Sequence, residues 1–259
     1  MNLDIKGRHA LVCAASQGLG RAVALALARE GVNLTIVARR QNILEETAQM
    51  IRDETGVLVT TVATDITSEA GRLLAVNANP VVDILVNGAG GIPPGDFRNF
   101  NRDEWMTAIE GLMLTPIELI KATIDGMVER RFGRIINITS KGMRVPSQLH
   151  PLANGARGGL TAFVSTIASE YSQHNVTINN LLPGPFDTDR MKVMTQVKAE
   201  ASNRTFEEQF KIGVDENPAR RWGRPEEFGA VCTFLCSAFS GFITGQNILI
   251  DGGSAPTTF

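Results

Sequence analysis

The sequence predicts an α/β fold, a single domain built on a doubly wound, seven-stranded parallel sheet, and three observations carry that expectation. Short apolar runs of strand length recur along the chain, segments with a 3.6-residue apolar period separate them, and a glycine cluster follows the first run and opens the first helical segment. With 259 residues, 43% of them hydrophobic, the chain is long enough to bury a full core in one domain spanning 1–259.

The elements follow in order. "HALVCAA" (9–15) is apolar on both faces of its pleat, as a strand covered by helices on both sides requires. "LGRAVALALAREG" then places Val23, Ala24 and Leu27 on one helical face. "NLTIVAR" (33–39), "VLVTTVATD" (57–65) and "VDILVNGAG" (82–90) supply the next three strands, and a helical segment from Asn101 to Gly126 comes before the fifth, "GRIINITS" (133–140). "LTAFVSTIASEYS" aligns Phe163, Ile167 and Tyr171 on a helix, and "VTINNLLPG" (176–184) and "NILIDGG" (247–253) close the sheet. Such alternation specifies right-handed crossovers and puts the ligand crevice at the carboxyl ends of the strands. The longest interruption, at about 185–217, is polar and Met-bearing and hangs from a strand end, where a mobile lid over a pocket is expected.

Charge narrows the partners. A net charge of -2 offers no basic field for nucleic acid, and no stretch approaches the ~20 apolar residues of a membrane span, so the expected partner is a small-molecule substrate. The charged start "MNLDIKGRHALVC" lacks the apolar core of a secretory signal, which makes the cytoplasm the expected location. Cys13, Cys232 and Cys236 are odd in number and have no histidine motif beside them, so packed thiols are expected and no metal site is assigned.

The stretch "VCAASQGLGRAVALALA" carries the first chemistry. Gly18 and Gly20 permit a tight turn and close packing of helix on strand, while the free N–H groups of the helix start, around Ala14, Ser16, Gln17, Gly18, Leu19 and Gly20, suit a pyrophosphate. The second strand ends in Arg39 and Arg40, where binding of NAD(H) calls for an acid. Two cations at a helix start oppose its dipole, and a 2′-phosphate explains them, so the expected cofactor is NADP(H).

This glycine spacing resembles the T-G-x-x-x-G-x-G turn of the short-chain dehydrogenase/reductase family, a Rossmann fold, with Cys13 and Ala14 in place of the first Thr and Gly. A Cβ at Ala14 fits there if its φ stays negative. The resemblance runs the whole chain. "TDIT" (64–67) matches the segment whose acid holds the adenine, which implies roles for Asp65 and Ile66; "NGAG" (87–90) matches N-N-A-G and implies Asn87, Gly88 and Ala89. "INITS" matches the strand-five serine segment, and "PGPFDT" (183–188) the P-G-x-x-x-T that implies Pro183, Gly184, Phe186 and Thr188 at the cofactor. "FITGQNILIDGG" matches the closing strand, and the layout is nearest the 3-oxoacyl-carrier-protein reductase branch. The resemblance also implies a homodimer or homotetramer, formed by the apolar faces of the segments from Asn101 to Gly126 and from Ala153 to Ser172.

The family's catalytic set is only partly present. Its asparagine falls on Gly111, its tyrosine on Ala153 and its lysine on Arg157, and Ser140 alone survives. Tyr171, the chain's single tyrosine, lies roughly 27 Å further along the same helix and cannot stand in. The resemblance implies that Ser140 polarises a carbonyl and Arg157 holds the nicotinamide ribose. His150, three residues before the tyrosine position, or water, supplies the proton, with a titration expected at about pH 6 to 7. Lys141 reads as a solvated charge, Asn154 as a donor that cannot titrate, and Asp187 with Asp189 as a capping pair. Restoring the pair by Ala153→Tyr with Arg157→Lys is expected to raise carbonyl reduction. A cofactor-binding protein without turnover, or non-redox chemistry in the same pocket, stay open as alternatives. The substrate is not legible, and Met113, Met143, Phe186, Met191 and Met194 read equally as pocket lining or as packing.

Overall fold

Seven strands, β1 (His9–Cys13), β2 (Asn33–Ala38), β3 (Val59–Ala63), β4 (Ile84–Asn87), β5 (Gly133–Ile138), β6 (Val176–Pro183) and β7 (Asn247–Ile250), form one sheet in the computed structural model, which describes residues 2–88 and 90–256. All pairings are parallel and the order is 3-2-1-4-5-6-7, so the chain winds outward in both directions from β1 and β4. The crevice predicted by a doubly wound sheet opens where that order reverses, at the carboxyl ends of β1 and β4.

The strands are apolar throughout because helices cover both faces. In β1, Ala10 and Val12 enter one core cluster and Leu11 and Cys13 the other. The first cluster is closed by α1 (Gly18–Arg29), α2 (Gln41–Thr55) and α9 (Pro225–Leu235), through Val23, Leu27, Leu44, Ile51 and Phe228. The second is closed by α3 (Glu69–Asn77), α5 (Thr115–Glu129) and α6 (Pro151–Ser172), through Ala75, Leu119, Ile124, Leu160 and Val164. Tyr171 packs at the edge of this second cluster, in keeping with its distance from the serine. Cys13, Cys232 and Cys236 are buried free thiols, and burial pushes Cys13 up to about 12. No helix among the described residues is long and apolar enough to cross a membrane.

The helical segment expected from Asn101 to Gly126 is continuous but composite. A capping box of Asn101 and Glu104 starts α4 (Arg102–Ile109), a π-turn covers Glu110–Leu114, and α5 continues to Glu129. The apolar side of this helix and of α6 is consumed by the protein's own core. On the outside, α6 presents Gly155, Gly158, Ala162, Ser165 and Ser169, and α5 presents Lys121 and Asp125. The faces expected there as an interface between subunits thus expose small and polar side chains, with Met106 of α4 at 46%. The largest exposed apolar side chains lie elsewhere, with Phe239 at 65% and Phe242 fully exposed.

The insert after β6 folds as two helices, α7 (Asp189–Ala201) and α8 (Phe206–Asp215). Thr188 caps α7 by accepting from Met191 N–H, and Thr205 with Glu208 forms a capping box on α8. Asp187 pairs with Lys192 at 3.3 Å. α7 buries only Thr195 and Ala199 and α8 buries none of its residues, so the insert rests on the domain with little core of its own.

Candidate active site

The turn from β1 into α1 builds an anion cradle. Gln17 is the extended N-cap, and the first intrahelical bond is from Arg21 N to Gln17 O, which leaves the N–H groups of Gly18, Leu19 and Gly20 without helical partners. A Cβ at Gly20 would run into the carbonyl of Ala14, and one at Gly88 would stand 3.1 Å from Cys13 O, so both glycines let backbone meet backbone. Ser16 is buried, its carbonyl taken by the Thr47 hydroxyl at 3.0 Å. The Leu19 side chain packs on the core beneath. Thr188 closes the cradle from the far half of the sheet, with its Cγ2 3.6 Å from where a Gly18 Cβ would be. Ala14 departs from the sequence expectation: its φ is +53°, in the left-handed region, and its side chain is exposed to the cleft.

Beside the cradle, the ends of β2 and β3 assemble a polar frame. Arg40 donates to Gln17 Oε1 at 2.6 Å, and Arg39 lies near enough to Asp65 for its charge to act on that carboxyl. Asp65 accepts from the N–H and hydroxyl of Thr67 at 3.0 and 2.9 Å, which holds it below the usual carboxylate range, with Arg39 adding to the effect. Neither arginine forms an ion pair among the described residues. Ile66 is half-buried against the second core cluster.

Past the carboxyl end of β5, Ser140 caps a short 3₁₀ turn, Lys141–Met143, and its Oγ accepts from Gly142 N–H at 3.1 Å. The hydroxyl proton therefore stays free to donate. A Cβ at Gly142 would lie 2.6 Å from Asn154 Oδ1 and 3.4 Å from Ser140 Oγ, so these two side chains flank one point. Lys141 is tied instead to Ser254 Oγ at 3.2 Å. Arg157 lines a small cavity with Asn87, Gly88, Leu112, Asn137 and Thr139. A ladder of side-chain amides leads into that cavity: Asn180 donates to Asn247, Asn137 to Asn180 and Asn87 to Asn137, at 2.8 to 3.0 Å. The ladder leaves the buried Asn87 Oδ1 without a partner, an acceptor waiting for a donor in the Arg157 cavity.

His150 is the N-cap residue of α6 and half-buried. Burial lowers its pKa from the usual 6.5, and the charges of Lys198, Arg190 and Arg157 lower it further. The titration expected at about pH 6 to 7 thus shifts downward, and the imidazole is predominantly neutral at pH 7. Burial, helped by the charge of Arg190, also draws Arg157 down to about 10. Ala153 is 5% exposed and packs with Ala108, Leu112, Leu152 and Ala156. Its Cβ is therefore enclosed among apolar side chains. Gly111, at the asparagine position, is buried within the π-turn.

The packing of two further side chains is now defined. The ring of Phe186 turns into the core, edge-on to Phe228 at 5.4 Å and 4% exposed, so only its backbone faces the cleft side. Met113 packs its sulfur against Gly159 of α6 rather than lining a pocket. Pro183 ends β6, and Gly184 follows with its N–H bonded to Ile250 O at 2.9 Å. Ala89 lies outside the described residues. Sequence reasoning missed Arg190 and Lys198, both of α7, which the structure brings toward His150 and Arg157. The signal was present: Arg190 stands in the first turn of a helix, where a cation opposes the dipole, as with Arg40.

Comparison with known proteins adds a lineage to this geometry. The family model described as enoyl-(acyl carrier protein) reductase matches residues 13–255. The chain is 31% identical to the NADPH-dependent reductase BacG of Bacillus subtilis, over 95% of this chain and 97% of that one. It is 28% identical to the 3-oxoacyl-[acyl-carrier-protein] reductase FabG of Vibrio cholerae, over 97% and 98%. Among solved structures it is similar to L-sorbose reductase from Gluconobacter frateurii, complexed with NADPH and L-sorbose. The TM-score is 0.94 at 27% identity, covering 99% of this chain and 100% of that one.

Proposed function

Because the chain belongs to the short-chain dehydrogenase/reductase family, we propose that it is an NADP(H)-dependent oxidoreductase that interconverts a small carbonyl compound and its alcohol. The observation that carries the reading is the free hydroxyl proton of Ser140, whose oxygen is fixed by the Gly142 N–H and flanks Gly142 together with Asn154.

The residues present fit the dinucleotide. The free N–H groups of Gly18, Leu19 and Gly20 with Thr188 would hold the pyrophosphate. Arg39 and Arg40 would hold the 2′-phosphate, Asp65 the adenine, and Asn87, Gly88 and Arg157 the nicotinamide side. When bound, the cofactor supplies or accepts a hydride. Ser140 would donate a hydrogen bond to the carbonyl oxygen and stabilise the negative charge that develops there. Arg157, a planar donor that stays protonated, orients the ribose and takes no part in proton transfer. The proton that completes the alcohol comes from His150 in its imidazolium form, or from water. The insert at 185–217 serves as the lid, a role supported by its small share of buried residues and by the approach of Arg190 to Gly91.

A second reading, an NADP(H)-binding protein without turnover, is supported by the packed Ala153, which has no proton to give. Titration with both nucleotides, then a carbonyl panel read by NADPH oxidation, tests the proposal. NADP(H) should bind at least ~10-fold tighter than NAD(H), about 1.4 kcal/mol, and Arg40→Ala should erase most of the difference. Equal affinities sink the cofactor assignment. Tight NADPH binding with no consumption across the panel makes the second reading the right one.

A further inference from the structure

The nicotinamide end of the cleft holds more positive charge than a neutral carbonyl substrate needs. Arg157 stands in the second turn of α6, Arg190 in the first turn of α7 and Lys198 two turns further on, and all three charges act on His150 at the start of α6. The Arg190 guanidinium lies against Gly91, filling the space where any Cβ would be, and it is partly desolvated there although the residue as a whole is exposed. None of these groups forms an ion pair among the described residues. The acid nearest in sequence that does pair, Asp187, is engaged with Lys192. Uncompensated like charges drawn together and partly desolvated cost free energy, and a ligand that brings the missing negative charge repays it.

The nucleotide already has partners for its own anions. Its pyrophosphate falls at the start of α1 and its 2′-phosphate at Arg39 and Arg40, at the other end of the crevice. With Arg157 given to the ribose, what remains at the substrate end is the planar Arg190 guanidinium, a donor suited to an oxyanion. We propose that the substrate carries an oxyanion group, a carboxylate in the simplest case, held by the Arg190 guanidinium where it lies against Gly91, so that its carbonyl meets Ser140. The protein is then a reductase of keto acids with NADPH or, in reverse, a dehydrogenase of the corresponding hydroxy acids with NADP+. This rests on the oxidoreductase reading above.

The test separates the two. Protein saturated with NADP+ cannot reduce a ketone, so calorimetry of that complex reads binding alone. Three matched pairs serve as probes: acetoacetate against methyl acetoacetate, levulinate against methyl levulinate, and dihydroxyacetone phosphate against dihydroxyacetone. At least one anion should bind ~10-fold or more tightly than its neutral partner. Arg190→Gln should abolish that preference, Arg190→Lys should retain part of it, and NADP+ affinity should stay within about twofold in both. Circular dichroism of each variant confirms that it is folded. The inference is overturned if no anion outbinds its partner. It is equally overturned if Arg190→Gln instead weakens NADP+ about 10-fold, because the guanidinium then serves the nucleotide. An anion that binds through Arg190 while NADPH is never consumed upholds the inference and rejects turnover.

Discussion

At residue scale the cleft is shaped by two side chains whose conformation or charge state runs against their ordinary preference. Ala14 holds φ +53°, a region that costs a residue with a Cβ about 1 kcal/mol or more and costs glycine nothing comparable. Ala14→Gly is therefore expected to stabilise the protein by about 1 kcal/mol, a rise in Tm of ~2–4 °C by thermal denaturation. A fall in Tm would show that the Cβ makes a contact worth more than the strain. His150 is held below its usual 6.5 by burial and three cations. Protonation therefore opposes folding, and stability is lost as pH falls from 6.5 through the folded value. If His150 gives the proton, kcat/KM for reduction falls as pH rises through a point below 6.5, and His150→Gln removes that limb from the pH profile. An unchanged profile in the variant assigns the proton to water.

At the scale of elements, the packing of α6 against the π-turn decides what the active site can become. Ala153 faces Ala108 and Leu112, and Met113 presses on Gly159, so the two helices meet across small residues. The sequence alone suggested that Ala153→Tyr with Arg157→Lys would restore the family's chemistry. With the Ala153 Cβ enclosed among apolar side chains, the double variant is expected to lose about 1–3 kcal/mol by overpacking and to gain little activity. Chemical denaturation with an NADPH assay checks both halves, and a stable variant with raised turnover would mean that the cluster repacks around the ring. The helices themselves were legible, because capping residues and apolar period mark them, as Asn101 and Glu104 do for α4. The π-turn was not, since one extra residue per turn leaves no local mark beyond the buried Gly111.

At the scale of the whole molecule, the domain leaves a different surface for association than its sequence advertised. The inward faces of α5 and α6 are filled by the sheet, while Phe239 and Phe242 stand exposed near the amino end of β7. Light scattering at micromolar concentration is expected to give a dimer or tetramer, and Phe242→Ser to lower the association state if that patch takes part. A monomer in the unaltered protein would remove oligomerisation from the account.

The sequence by itself determined the sheet, its seven strands and the phosphate loop, because each is marked by a local residue pattern. An apolar run covered on both faces, a glycine at a helix start and an arginine pair at a strand end keep their meaning wherever the rest of the chain goes. It also named Ser140, Arg157 and His150. Only the tertiary structure decided what surrounds them, since that depends on segments far apart in the chain. Phe186 belongs to the core because Phe228 meets it, Ala153 is enclosed because the π-turn bulges beside it, and Arg190 reaches the cleft because the insert folds back over Gly91. The charge at the substrate end is a sum over α6 and α7, and no local pattern holds that sum.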